Sequence, residues 1–291
     1  MKDRKSILQQ ETENLKFMWN RYTLKKLQNY LRKTEIDPRV AFTKNVILEY
    51  LRKLNPKVNF SKEENITNVL VMIARKLQKI RKVKWIKRAT PFSKSLFDNV
   101  LKVTGFLRRS RLKNLQIKKP SIVDIGCGSG NYYRVFLRSG INDLINYKGV
   151  DIAEKNIKNC SKLFPNGDFS VGNLLDLNLA DSSFDIVMVN SVFEHLSPKL
   201  LKKAFSEAIR VGKDLIIFNF FNEMDIPKTI VRSKYRYHWN TLGRKDIFKL
   251  ININPKDINI TDYYSGRRVR LINSKGDSLS FSTWVFRKKR S

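Results

Sequence analysis

Residues 121–131 read SIVDIGCGSGN, four strand-like positions ending in Asp124 and then three glycines at alternate places. A short apolar run that stops at glycines and passes into a helical pattern is a strand–turn–helix unit. Glycine serves such a turn in two ways: it accepts positive φ, and it lets the main chain come close to a ligand. Gly126, Gly128 and Gly130 therefore mark a nucleotide-like ligand site. Twenty-one residues past Gly130, at the end of the next apolar run, stands Asp151. Doubly wound folds place a ribose-binding acid there.

The glycine spacing narrows the ligand. Dinucleotide sites put two residues between the second and third glycines, so that a diphosphate rests on the helix N-terminus. Here one residue separates them, and the Asp124 carboxylate just ahead of the loop repels phosphate and suits a cation or an ammonium. The run D-I-G-C-G-S-G resembles the first motif of class I S-adenosylmethionine-dependent methyltransferases, and the resemblance extends over about residues 120–221 and more loosely to the C-terminal end. It implies S-adenosyl-L-methionine as cofactor. By the same resemblance Asp124, the three glycines, Asp151 and Ile152 hold it, Asn173 and Leu174 lie beside the adenine, and Asn190 closes the site. SSFDIVMVNSVFEHL (182–196) is similar to the fourth strand and following segment of the ubiquinone- and glycan-type members.

From Pro120 on, short apolar strands alternate with helical stretches, the pattern of an α/β domain with a parallel sheet. Strands are expected at 122–125, 148–152, 168–171, 184–190 and 215–220, and helices near 131–139, 154–164, 198–210 and 244–251. INITDYY (258–264) and LSFSTWVF (279–286) are expected to pair antiparallel at one edge. The fold expected is a Rossmann-like class I methyltransferase sheet with a C-terminal antiparallel hairpin.

Residues 1–119 read differently. Their apolar positions recur three and four apart, so this region is expected to be all-helical and a separate N-terminal part. Asp37-Pro38 reads as an N-cap followed by the first helical residue, and Ser61 to Glu64 as a capping box. The region holds 31 basic and 9 acidic side chains, net +22, within a chain of formal charge +32. Its face at residues 75–88 and the cluster Arg108, Arg109, Arg111, Lys113 suit phosphates or acidic headgroups. Genome composition is a second source of this charge, since the chain is also rich in Asn and Ile. Cys127 and Cys160 lie inside expected core elements, which favours neither a disulfide framework nor a zinc cluster and fits a reducing cytoplasm. The apolar runs are too short for a bilayer span, and no signal peptide is expected.

Methyl transfer from a sulfonium is an in-line displacement, and a hydroxyl acceptor gains from a base that takes its proton. The chain has two histidines. His195 follows the fourth strand beside Glu194 and is the expected base, with Glu194 orienting it. His238, in KYRYHWN (234–240), is the other candidate. Asn190, Phe193, Glu194 and His195 are expected to wall an acceptor pocket under the segment Tyr235 to Trp239.

Metal-dependent small-RNA 2′-O-methyltransferases resemble the chain at Glu194, His195 and His238. Ser191 stands where their further carboxylate belongs, so no metal is expected. The reading favours a small-molecule or glycan acceptor, lipid-linked if the basic helices reach an anionic membrane surface. An RNA methyltransferase gripping phosphates and a cofactor-binding scaffold without catalysis remain open at this point.

Overall fold

The sheet is built outward from Ser121–Ile125 (β1), whose last four residues are all buried. In the computed structural model, which describes residues 37–58, 117–234, 237–263 and 281–288, the chain forms two compact units. Residues 1–36, 59–116, 235–236, 264–280 and 289–291 lie outside the described residues, and with them the capping box at Ser61, the basic face at 75–88 and the cluster Arg108 to Lys113.

One unit contains the seven-stranded sheet. Its further strands are Asn146–Asp151 (β2), Asp168–Val171 (β3), Phe184–Asn190 (β4), Gly212–Phe220 (β5), Ile258–Tyr263 (β6) and Phe281–Arg287 (β7). The order is β3-β2-β1-β4-β5-β7-β6. β1 pairs parallel with β4, β4 with β5 and β2 with β3, whereas β7 runs antiparallel to both β5 and β6. The expected C-terminal hairpin is thus present, and its second strand lies between the first and the parallel strands. This is the Rossmann-like sheet, closed at one edge by an antiparallel hairpin, that the sequence leads one to expect.

One face of the sheet packs on Pro198–Val211 (α4) and Arg244–Ile251 (α5), numbered after Pro38–Leu54 (α1), Asn131–Ser139 (α2) and Glu154–Leu163 (α3). α4 starts with Pro198 at its first turn and inserts Leu201, Ala204, Phe205 and Ala208 against Val187, Val189, Ile216 and Phe218. Phe193 stacks on Phe205 with ring centroids 4.0 Å apart and meets Phe218 edge-on. Each such buried side chain contributes roughly 1.5–3 kcal/mol of transfer free energy.

Residues 38–45 of α1 belong to this same unit. The cap expected at Asp37 forms: its Oδ1 accepts from Arg39 N at 2.9 Å, directly ahead of Pro38. In the other unit, Asn55 closes the end of α1, donating to Leu51 O and exchanging hydrogen bonds with the Lys118 main chain. No helix of the described residues is long and apolar enough to cross a membrane.

Candidate active site

The order of the parallel strands reverses between β1 and β4, and ligands in such sheets lie beyond the carboxyl ends at that point. A cleft opens there, lined by Gly126, Asp151, Ile152, Asn173, Asn190 and His195 among others.

The glycine loop is tied to β2 by its main chain. Gly126 N and Cys127 N both donate to Val150 O, at 2.8 and 3.1 Å, and Gly128 N donates to Asp151 Oδ2 at 2.9 Å. All three glycines have positive φ, at 75, 58 and 82°. The reasons differ. A Cβ on Gly126 would fall 2.2 Å from Val192 Cγ2, and one on Gly130 2.6 Å from the Phe164 ring. At Gly128 the nearest atom would be 3.8 Å away, so there the backbone lies bare toward open space. A bare strip of main chain beside a strand-end acid is what an adenosyl ligand requires, and the residues present fit the cofactor.

Asp151 is 5 % exposed, and its Oδ1 accepts from Ala153 N and Asn156 Nδ2. Burial pushes its carboxyl above the usual range, opposed by those donors and Gly128 N. Each carboxylate oxygen can accept more than one hydrogen bond, so the set leaves capacity for ribose hydroxyls. Gly172 N donates to Asp151 O, which brings Asn173 and Leu174 to the cleft beside Ile152.

Asp124 stands elsewhere than its expected place against the cofactor. It is fully buried beneath the loop and is absent from the cleft lining. One oxygen accepts from Tyr147 Oη at 2.7 Å, and the other accepts from Asn190 Nδ2. Desolvation raises it to about 7 against these donors. Its influence on the cleft passes through Asn190, whose Oδ1 in turn accepts from Asn219 Nδ2 at 2.6 Å. Asn219 is bound by Thr283 on β7 and Thr43 on α1, so one buried polar chain crosses five strands and fixes the Asn190 amide. Nothing in the sequence marks Asn219 or Thr43 as members, because they meet only after folding.

The segment after β4 departs most from expectation. Phe193, Glu194 and His195 form one 3₁₀ turn, in which successive side chains diverge by about a third of a revolution. Only His195 of the three enters the cleft. Phe193 points into the core. Glu194 turns to the end of β5, where its Oε1 accepts from Phe221 N at 2.6 Å and Asn222 N at 3.2 Å. The expectation that Glu194 orients His195 and walls the pocket is corrected accordingly: it is fully buried, joins the ends of β4 and β5, and desolvation raises it to about 7.

His195 is oriented instead by a main-chain carbonyl. Its Nδ1 lies 3.1 Å from His238 O. A carbonyl only accepts, so Nδ1 carries the proton and Nε2 the basic lone pair. Burial lowers the imidazole to about 4, so the ring is neutral near pH 7. Phe221 and Trp239 flank it with centroids 5.1 and 5.5 Å away. The candidate His238 thus reaches the site through its carbonyl, and its ring is absent from the cleft lining.

Arg39 escaped the sequence reading, and Ser191 entered it only as a missing carboxylate. Ser191, at the mouth of the turn, takes a left-handed φ of 54°. Its Oγ lies 3.4 Å from Arg39 Nη1, which also donates to Phe220 O at 2.6 Å while Asp37 neutralises the guanidinium. Among the described residues no group of three or more His, Cys, Asp or Glu could hold a metal ion.

A family profile described as "Methyltransferase domain" matches residues 123–215. A ubiquinone/menaquinone biosynthesis C-methyltransferase UbiE of Campylobacter jejuni is 28 % identical over 117 residues, 38 % of this chain and 49 % of that protein. The chain thus spans about half the length of the curated relatives it matches. A SAM-dependent methyltransferase structure from Methanosarcina mazei aligns at 16 % identity and TM-score 0.46, covering 62 % of this chain and 97 % of that one. One from Archaeoglobus fulgidus aligns at 20 % and 0.42, covering 66 % and 98 %. The glycine loop, the strand-end Asp151 and the matched profile coincide on one cleft, and residues 123–215 of the chain match a methyltransferase domain.

Proposed function

We propose that this protein methylates a hydroxyl or similar heteroatom of a small-molecule or glycan acceptor held beyond the carboxyl ends of β4 and β5. The observation that carries the reading is the fixed tautomer of a neutral His195 inside the cofactor cleft. When bound, S-adenosylmethionine supplies a methyl group on a sulfonium that leaves as a neutral thioether. Nε2 of His195 takes the hydroxyl proton as the acceptor oxygen gains the methyl group, and the imidazolium then returns the proton to solvent. Asn190, held at both ends of its amide, presents a rigid polar group beside the reacting atoms, and Phe221 and Trp239 exclude water around the ring.

Carbon methylation is named in the relatives' description, and the same base serves it if removal of a phenolic proton activates a ring carbon. The anionic surface expected for residues 75–113 belongs to the same proposal as a means of holding the protein near its acceptor. The test is incubation of cell extract with the purified protein and S-adenosylmethionine carrying a trideuterated methyl group. Mass spectrometry should find the label on oxygen in a small-molecule, glycan or lipid-linked fraction. Label on ring carbon favours the second reading, and label in RNA or nowhere overturns both.

A further inference from the structure

Between the sheet and the first turns of α1 lies a buried polar contact that the proposed chemistry does not use. Thr43 is fully buried, and its Oγ1 accepts from Asn219 Nδ2 at 3.2 Å. The other hydrogen of that amide goes to Asn190 Oδ1 at 2.6 Å, and Asn219 Oδ1 accepts from Thr283 Oγ1, also at 2.6 Å. Both N–H groups of the Asn219 amide are thereby used. Thr43 also hydrogen-bonds the hydroxyl of Tyr132, two residues past Gly130 on α2. One hydroxyl thus joins α1 to β5 and to the helix that follows the glycine loop.

One turn earlier on the same face of α1, Arg39 repeats the connection, since residues four apart on a helix are neighbours. Its Nη1 donates to Phe220 O at 2.6 Å and lies 3.4 Å from Ser191 Oγ, and its guanidinium sits 4.8 Å from the centroid of the Phe281 ring. The start of α1 is therefore fastened to the chain at the carboxyl ends of β4 and β5, beside the cleft.

Packing alone does not ask for these groups. A buried hydroxyl costs free energy unless it is hydrogen-bonded, and apolar side chains of the same shape in place of both partners are nearly neutral. Along β5, Phe218 and Phe220 join the apolar core with α4, whereas Asn219 between them turns to α1. The bonds it makes lead to one cleft residue. Asn190 uses one N–H on Asp124 and one lone pair on Asn219, and keeps one of each at the cleft lining.

We propose that Thr43 is a positioning residue for the cofactor site: acting through Asn219, it holds the Asn190 amide in the orientation that the bound cofactor meets. It rests on the assignment of this cleft to S-adenosylmethionine. Without the Thr43 hydroxyl, Asn219 keeps an N–H with no partner, its amide is free to turn, and Asn190 Oδ1 loses its fixed donor. Cofactor affinity is therefore coupled to the docking of the first turns of α1. Such coupling is reciprocal, so bound cofactor protects those turns in equal measure.

The test is calorimetric titration of the full chain with S-adenosylhomocysteine, as wild type, Thr43→Val and Thr43→Ser, under conditions where urea titration shows each to be folded. Thr43→Val keeps the shape and deletes the hydroxyl, and should weaken binding about three- to tenfold, whereas Thr43→Ser should stay within about twofold of wild type. A structural role alone gives a different pattern, a lower urea midpoint with unchanged affinity, and that result overturns the proposal. Equal loss of affinity in Thr43→Ser also overturns it, because the effect then belongs to the methyl group. A second measurement needs no variant. In wild type, S-adenosylhomocysteine should slow hydrogen exchange of the amides of residues 41–45 more than those of Ile258–Tyr263 at the far edge of the sheet. Equal slowing at both, or none at residues 41–45, contradicts the coupling. Absence of binding by wild type removes the cofactor assignment and this proposal with it; binding that Thr43→Val retains in full removes this proposal alone.

Discussion

The carbonyl oxygen of His238 stands 3.1 Å from Nδ1 of His195, and through this contact the main chain at His238 sets the tautomer of a neutral cleft imidazole. The residue expected to do this, Glu194, is occupied with Phe221 N and Asn222 N on the other side of the turn. Main chain is a firmer orienter than a carboxylate here. It cannot change charge, and it leaves the imidazole neutral instead of favouring its cation.

Replacing His195 should separate chemistry from binding. For the labelled acceptor, His195→Ala should lower kcat by about a hundredfold or more, the usual size of general-base help. The affinity for S-adenosylhomocysteine should stay within about twofold. Unchanged turnover would remove His195 from the chemistry.

Acid conditions test the same residue from the side of stability. Its pKa is lowered from 6.5 to about 4 by burial, so as pH falls the unfolded state binds the proton first and stability is lost across that window. The loss is bounded by about 3 kcal/mol at about 1.4 kcal/mol per pH unit. His195→Gln should abolish it in urea titrations at successive pH values. kcat/KM of wild type should hold from pH 8 to about 5, whereas an acid limb near 6.5 would show an unshifted imidazole.

Asp124 has the opposite sign. Raised from 3.8 to about 7 by burial, it is protonated more readily in the folded state, so stability falls as pH rises through that interval. Asp124→Asn should remove this decline. Its amide oxygen still accepts from Asn190, and the Tyr147 hydroxyl turns from donor to acceptor. Asp124→Ala, which leaves both partners unpaired, should instead lower stability by roughly 2–4 kcal/mol. Equal urea midpoints for the two variants at pH 8 would contradict this.

The glycines should divide by role. Gly130→Ala meets Phe164 at 2.6 Å as well as an unfavourable φ, and should cost about 2 kcal/mol or more of folding stability. Gly128→Ala meets nothing closer than 3.8 Å, so thermal melting should show only about 1–2 kcal/mol from its left-handed backbone. Its larger effect should appear in cofactor affinity, where the added methyl group stands in the space the ligand needs.

The strands of the sheet were legible because both their faces are covered, which leaves short apolar runs that stop sharply at Gly126, Asp151 and Asn190. The cofactor cleft was legible for a related reason, since a glycine turn and a strand-end acid are local signals. What the sequence hid depends on direction and distance. Within the turn 193–195 it ranks three neighbours equally, and only the fold turns Phe193 to the core, Glu194 to β5 and His195 to the cleft. In β1 an aspartate before a glycine loop reads as a ligand contact whether it faces the cleft or Tyr147. Arg39 and Thr43 lie more than 150 residues from the partners they meet at Ser191 and Asn219, beyond the reach of any spacing argument.

Cofactor identity is tested by calorimetric titration of the full chain with S-adenosylhomocysteine and with NAD, for wild type and Asp151→Ala. S-adenosylhomocysteine alone should bind, and Asp151→Ala should weaken it by roughly 1.5–3 kcal/mol as hydrogen bonds to a buried carboxylate are lost. Binding of NAD, or equal binding of S-adenosylhomocysteine by wild type and Asp151→Ala, would contradict this assignment.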